Sequence, residues 1–140
     1  MGKINWGRVI LCGLLTGFVW GVLYAIALPL VGRDFIAALP SGFSGHFPGA
    51  STSMRGIVMI GPSVLGISTM WLYAAIRPRY GPGPKTAAVA GFALWLFGSW
   101  VDVFWAALGA VPPGVLVGPV AASLPITLMA AVLGAWAYKE

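Results

Sequence analysis

The stretch GRVILCGLLTGFVWGVLYAIALPLV, residues 7–31, is apolar along almost its whole length, and Arg8 is its one charged residue. A helix of about 20 predominantly apolar residues crosses the ~30 Å hydrocarbon core of a bilayer. The stretch therefore predicts a transmembrane helix over residues 9–31. The tripeptide AIA at 25–27 also resembles a signal-peptidase site, so a cleaved signal peptide is the alternative. The apolar run continues past that site, which favours a retained helix.

Three glycines of this helix, Gly13, Gly17 and Gly21, follow one another at four-residue spacing. This spacing leaves one side of a helix without side chains, so that a second helix can approach closely. Gly114 and Gly118 repeat the spacing near the C-terminus. We predict that all these glycines, together with Gly91 and Gly98 of the third predicted helix, are helix-packing positions.

The composition of the whole chain is that of a membrane protein. Of its 140 residues, 59% are hydrophobic and 8% are charged, whereas soluble domains carry about 25% charged residues. We therefore predict a single all-α integral membrane domain over residues 1–140, in the form of a four-transmembrane-helix bundle. Its helices are predicted at about 9–31, 57–76, 87–111 and 114–138.

The predicted connections differ in length. A long outer loop is predicted over residues 32–55, and DFIAALP at 34–40 is typical of a short interfacial helix. The segment RPRYGPGPKT at 77–86 carries three prolines and two glycines, so it is predicted to break the helix. PP at 112–113 predicts a tight turn between the last two helices.

The positive charges predict the orientation of the chain. The N-terminus, the 77–86 loop and the C-terminus together carry six lysines and arginines, whereas the outer loop carries two, Arg33 and Arg55. Basic residues concentrate on the cytoplasmic side, so both termini are predicted to be cytoplasmic. The basic residues that give the net charge of +5 flank apolar runs. This placement indicates topology signals and a lipid bilayer as partner, and not a nucleic acid.

A weak internal similarity suggests a repeat. WLYAAIR at 71–77 resembles WAYKE at 136–140, and Gly13 aligns with Gly91. The chain is then two helical hairpins of the same orientation, related by an axis along the membrane normal. Similar membrane boundaries also produce similar helix ends, so common ancestry of the halves is a hypothesis.

Asp102 is the acid of the third predicted helix, where almost every neighbour in sequence is apolar. An acid near the bilayer centre costs at least ~2.5–3.5 kcal/mol on insertion scales, so it should be paired, protonated or hydrated. At about 100° per residue its face carries small residues, including Gly91, Gly98 and Ser99, and also Trp95 and Trp105. The opposite face carries Phe97, Trp100, Phe104 and Leu108.

We therefore expect Asp102 to point into the bundle, with Ser99 one turn away. Tyr24 lies at matching depth on the glycine side of the first helix, and Arg55 begins the second helix on the same side of the membrane. Tyr24 or Arg55 is accordingly the predicted polar partner of Asp102. An intramembrane acid can be a proton or cation site, and it can also be a structural acid that fixes helix packing.

The remaining reactive side chains do not form a catalytic set. His46 is the single histidine, and a zinc site needs three or four protein ligands. Cys12 is the single cysteine, so it cannot form an internal disulfide, and it is predicted to be a packing residue. We expect no metal, no cofactor and no enzymatic activity.

Three segments carry a resemblance: KINWGRVILCGLL (3–15), WLYAAIRPRYGPGPKTA (71–87) and GAWAYKE (134–140). They resemble a group of small four-helix bacterial membrane proteins to which no activity is attached. The resemblance implies a multi-pass protein of the bacterial inner membrane. Members of that group often place an acid in the second half of the first helix, where this chain has Tyr24.

Two functions from different classes follow from these observations. The first is a structural or accessory subunit that forms a homo-oligomer or joins a larger membrane complex through its small-residue stripes. The second is a small proton- or cation-coupled transporter or channel that uses Asp102. A haem- or pigment-bearing subunit ranks third, since one histidine cannot supply two axial ligands.

Overall fold

The computed structural model describes residues 4–38 and 52–138, and for residues 36, 38 and 52–59 it describes the backbone alone. The described residues form five helices and no strand, which confirms the all-α prediction. His46 and most of the predicted outer loop lie outside the described residues, as do the side chain of Arg55 and the C-terminal Lys139. The helices are α1 (Trp6–Val31), α2 (Arg33–Ala38), α3 (Thr52–Tyr80), α4 (Pro84–Ala107) and α5 (Pro113–Ala137).

Helices α1, α4 and α5 are each long and apolar enough to cross a membrane. Their residues are also poorly covered by the rest of the chain, with Phe97 and Trp100 of α4 about 70% exposed. Large apolar side chains in such numbers on the outside need an apolar solvent, since soluble proteins rarely expose extended apolar patches. The chain is thus a membrane protein, and its described residues include three candidate spans.

Helix α3 is longer than predicted, because it passes through Pro78 and ends only at Tyr80. The predicted helix-breaking loop shrinks to a short turn around Gly81, whose φ of 81° lies in the left-handed region that favours glycine. The hydroxyl of Thr86 donates to the Gly81 carbonyl at 2.7 Å, and the Gly83 N–H donates to the Tyr73 hydroxyl at 3.3 Å. These bonds hold the turn between α3 and α4.

Helix α4 ends at Ala107, four residues earlier than predicted. Gly109 has a φ of 73°, its N–H donates to the Ala106 carbonyl at 2.9 Å, and the Ala110 N–H donates to the Trp105 carbonyl at 3.1 Å. This pair of bonds is a Schellman motif, which closes a helix with a left-handed residue, usually glycine. The sequence signal for the end was therefore Gly109 and not the two prolines that follow.

The closest helix contact in the bundle joins α1 to α3. A Cβ built on Gly13 would lie 2.5 Å from the Cα of Ile67, and a Cβ on Gly17 would overlap the backbone of Pro62. From the other side, a Cβ on Gly66 would lie 2.7 Å from the Cα of Gly17. The two backbones touch with almost no side chain between them, as the glycine spacing of α1 predicts.

Two further glycines of the predicted set pack against other helices. A Cβ on Gly91 would lie 2.9 Å from the Cβ of Ala131 in α5, and a Cβ on Gly118 would lie 2.6 Å from the Val31 carbonyl oxygen of α1. Gly21 is less tightly packed, because its added Cβ would make ordinary contact with α3 at 3.5 Å.

At Gly98 and Gly114 an added Cβ would meet no described atom within 4 Å. Gly98 faces a cavity, and Gly114 lies in the exposed first turn of α5, so the predicted packing contact is not seen for either glycine among the described residues. Sequence reasoning also missed Gly134, where a Cβ would overlap the Thr16 hydroxyl and lie 3.1 Å from the sulfur of Met70.

The buried core lies at one end of the bundle, near the start of α1 and the α3–α4 turn. Its fully buried side chains include Val9, Met70 and Tyr73, and Cys12 is buried beside them, as predicted for a packing residue. At this end small and medium residues fill the space between helices. Toward the other end the helices enclose cavities instead.

We predict that Gly17→Ala destabilises the fold by about 1–3 kcal/mol, because its methyl group would force apart two backbones already in contact. Gly61→Ala is the matched control on α3, since its added Cβ meets no described atom within 4 Å. Thermal unfolding in a mild detergent measures both variants. Equal unfolding temperatures for Gly17→Ala and Gly61→Ala would contradict the close contact.

Candidate functional site

All four long helices contribute to a central cavity of about 260 Å³. Small residues create the space, because Gly98 and Ala130 place no bulk where larger side chains would close it. Polar and aromatic side chains account for much of the remaining lining: Thr16, Trp20, Tyr24, Thr69, Trp95, Ser99, Asp102, Ser123 and Thr127. Such a lining inside a membrane helix bundle is typical of a binding site or a conduction path.

Most of these polar groups are already satisfied by the protein itself. The hydroxyls of Thr16 and Thr69 each donate at 2.8 Å to a carbonyl four residues earlier in their own helix. The Trp20 indole N–H donates to the Thr127 hydroxyl at 3.0 Å, and that hydroxyl donates to the Ser123 carbonyl at 2.8 Å. The Trp20–Thr127 bond joins α1 to α5 across the cavity wall.

A second tryptophan joins α4 to α5. The Trp95 indole N–H lies 3.1 Å from the Ser123 hydroxyl oxygen and 3.2 Å from the Val120 carbonyl oxygen, so both accept from it. The Ser123 hydroxyl donates in turn to the Val120 carbonyl at 2.8 Å. Sequence reasoning did not find these two tryptophan bonds. One sequence feature does point to these bonds. Ser123 and Thr127 lie one turn apart on the same face of one helix, where they can accept from tryptophans of two neighbouring helices.

Three polar side chains of the cavity remain without such bonds. Among the described residues, no hydrogen bond is made by the Tyr24 hydroxyl, the Ser99 hydroxyl or the Asp102 carboxylate. All three line the central cavity, so the structure brings together Asp102, Ser99 and Tyr24 as the sequence predicted. Arg55, the other predicted partner, lies in α3, and its side chain is outside the described set.

Tyr24 shares the cavity with Asp102 without bonding to it. The ring of Tyr24 stacks on that of Trp20, with centroids 4.8 Å apart and an interplanar angle of 9°. Trp20 is itself held by its bond to Thr127. The tyrosine ring is therefore positioned by a stacked neighbour, and its hydroxyl is left available to a ligand.

The predicted division of α4 into two faces is correct for most residues and wrong for Trp105. Phe97, Trp100 and Phe104 lie on the exterior, and Asp102 lines the cavity. Trp105, predicted on the cavity face, is 51% exposed, and its ring packs edge-on against that of Phe104 at 6.2 Å. It lies about 60° from Asp102 around the helix at ~100° per residue, so its large ring turns outward at the edge of that face.

Asp102 also lines a second cavity, of about 360 Å³, between α4 and α5. Apart from Asp102, every described residue that lines this hairpin cavity is Val, Ala, Pro or Leu. Asp102 lies five residues before the end of α4, which is about 8 Å along the axis at ~1.5 Å per residue. The carboxylate is therefore close to the α4–α5 turn, between one polar and one apolar space.

The arrangement can hold a positive charge. A carboxylate in a membrane interior is costly when it has no partner, and attraction to a proton or a cation would offset that cost. The hydroxyls of Ser99 and Tyr24 can donate to the carboxylate or accept from a bound ammonium group. Among the described residues, no group of three or more His, Cys, Asp or Glu side chains could hold a metal ion.

Comparison of the chain with models of protein families, with curated proteins and with solved structures finds no match. No relative therefore contributes a residue role or an activity.

We predict that the Trp20–Thr127 bond couples α1 to α5 by about 0.6–2 kcal/mol, the range for hydrogen bonds between membrane helices. A double-mutant cycle of Trp20→Phe and Thr127→Val, followed by unfolding in detergent, measures that coupling energy. Trp100→Phe with Thr127→Val is the control cycle, because Trp100 lies on the exterior. Additive effects in the first cycle would show that the bond contributes nothing.

Proposed function

We propose that the protein is a small transporter or channel of a bacterial inner membrane, and that Asp102 binds the cation or proton that it moves. One observation carries the proposal. Asp102 lines a cavity bounded by all four long helices, and its carboxylate is not bonded to any described residue. Since the other polar groups of that cavity are largely satisfied, the acid and its two hydroxyl neighbours are the groups left to meet a ligand.

The accessory-subunit function has less support, although it stays a prediction. It relied on stripes of small residues free to contact another protein. Gly13 and Gly17 are used inside the chain against α3, and Gly91 is used against α5. A stripe that packs within the bundle is not available to a partner or to a second copy of the chain. No catalytic set is involved in either function, and no nucleic acid is expected to bind.

The proposal needs a bundle that spans the membrane four times. In this proposal helix α3 is the fourth span, which is supported by its length and by its packing along α1, itself a candidate span. The excess of lysine and arginine around the termini and the α3–α4 turn supports cytoplasmic termini. Asp102 then lies toward the outer side, near the α4–α5 turn.

The helix contacts also support the parallel repeat. Helix α1 packs mainly on α3, and α4 mainly on α5, as two hairpins would. Gly13 and Gly91, which align in sequence, are each in close contact with the second helix of their own hairpin. Equivalent glycines with equivalent contacts are the expected result of a duplicated hairpin.

The flux of cations through the purified protein tests the proposal. In proteoliposomes loaded with a pH-sensitive dye, we expect a pH jump to drive proton entry, or a sodium gradient to drive uptake of ²²Na⁺, above the rate of protein-free liposomes. Asp102→Asn should reduce that flux to the protein-free rate, because the amide cannot hold the charge.

Asp34→Asn is the matched control, since Asp34 is an exposed acid in the short helix α2, outside the cavity. This variant should keep the wild-type flux. The proposal fails if Asp102→Asn and Asp34→Asn give equal traces, or if the wild-type protein moves neither protons, nor sodium, nor labelled tetramethylammonium.

Accessibility of introduced cysteines tests the orientation. In a Cys12→Ala background, we predict that a membrane-impermeant maleimide added outside intact cells labels His46→Cys and spares Pro82→Cys. Pro82 is an exposed residue of the α3–α4 turn and, unlike Gly81, it has no positive φ that a cysteine would strain. Labelling of Pro82→Cys alone would reverse the orientation.

A further inference from the structure

The central cavity and the hairpin cavity meet at one side chain. Asp102 is the one described residue that lines both. A ligand bound to its carboxylate can therefore extend into either space. The two spaces differ in chemistry, and this difference constrains what the ligand is.

The central cavity suits a compact positive charge. Besides the carboxylate, it presents the rings of Trp20, Tyr24 and Trp95. Cations are attracted to the faces of such rings, most strongly where water is excluded. The rings of Trp20 and Trp95 are held by hydrogen bonds to α5, so the aromatic wall is preorganised.

The hairpin cavity suits an alkyl chain. It is lined by Ala106, Leu116, Val117 and similar apolar residues, and Asp102 is the one charged group among its described lining residues. Neither a proton nor a metal cation gains anything from an apolar space of about 360 Å³ beside its binding site. An organic cation with an apolar tail gains from both cavities at once.

We infer that the cation is amphipathic, with an ammonium head held at Asp102 in the central cavity and a single alkyl chain in the hairpin cavity. This inference rests on the proposed function and adds the class of substrate to it. The head is a substituted ammonium group, because the wall that faces it combines a carboxylate with aromatic rings. The chain reaches the site from the bilayer between α4 and α5, where Val103 and Val117 are exposed.

Binding to the whole protein in phosphatidylglycerol nanodiscs, whose lipid head carries no ammonium group, tests the inference. Labelled tetramethylammonium serves as the probe, with displacement by unlabelled butyl- and octyltrimethylammonium. Wild type should bind the probe above empty nanodiscs, and Asp102→Asn should not. The octyl compound should displace the probe at least about tenfold better than tetramethylammonium itself, since each buried methylene adds up to about fourfold in affinity.

A variant that fills the hairpin cavity distinguishes binding of the alkyl chain from binding of the ammonium head. Ala106→Phe should keep tetramethylammonium affinity and lose most of the octyl advantage. Ala121→Phe is the matched control, because Ala121 is exposed on α5 and lines neither cavity. Partitioning of the octyl compound into lipid is the same in both variants, so it cancels in the comparison. Ala107→Leu, a smaller change in the same cavity, replaces Ala106→Phe if that variant does not fold.

Each other outcome overturns the inference, and the outcomes are distinguishable. If the probe binds through Asp102 but Ala106→Phe keeps the octyl advantage, the alkyl chain is not in the hairpin cavity, and the proposed function stands. If 1-octanol displaces the probe as well as the octyl cation does, the cavity accepts any apolar chain, including those of lipids. If wild type does not bind the probe, the substrate class is wrong, and the flux of protons and sodium decides the proposed function separately.

Discussion

The contact between the backbones of α1 and α3 at Gly13, Gly17 and Gly66 is the constraint on which the rest of the bundle depends. Inside a bilayer, apolar side chains gain little from leaving lipid for protein, so helices associate through close packing and interhelical hydrogen bonds. These glycines provide the close packing between α1 and α3, and Gly91 provides close packing between α4 and α5. The third connection, between α1 and α5, adds the bond from Trp20 to Thr127. A chain of only 140 residues thereby holds its long helices together with few buried large side chains.

The small number of large buried side chains also explains why the bundle contains cavities. Close packing is concentrated near the start of α1 and the end of α3, where Val9, Met70 and Tyr73 are fully buried. Farther along, Gly98 leaves space that no neighbouring side chain fills. The side chains that border this space include two tryptophans, Ser123 and threonines that bond to one another or to carbonyl groups, which lowers the cost of placing them in a membrane. Asp102 is an exception, as are the hydroxyls of Ser99 and Tyr24, because no described residue bonds to it, and it lies where the close packing has ended.

Much of this architecture is predictable from sequence, and the reasons for the failures are physical. Apolar length predicts the helices, and four-residue spacing predicts the contacts of Gly13 and Gly17. The inward position of Asp102 follows from the small residues on its face. Gly66 and the tryptophan bonds were missed because they depend on which helices become neighbours. No pattern within a single helix predicts which other helix packs against it. The end of α4 was misjudged because a glycine in a Schellman motif closes a helix earlier than a proline further on. Tyr24 lines the same cavity as Asp102, but its ring stacks on Trp20 of its own helix, and no pattern of depth and face predicts that contact.

A purely structural acid would be expected to bond to the protein, as the buried hydroxyls of this bundle do. Thr16, Thr69, Ser123 and Thr127 each donate to a backbone carbonyl of their own helix. A carboxylate cannot do so while ionised, because it only accepts, and donors were available nearby in the indole groups of Trp20 and Trp95. Those donors are bonded to α5 instead. The two tryptophans thus stabilise the walls of the cavity and leave Asp102 without a donor from either of them. If Asp102 binds the cation as we propose, the groups that hold the helices together are separate from the group that binds, so that a ligand could arrive and leave without loosening the bundle.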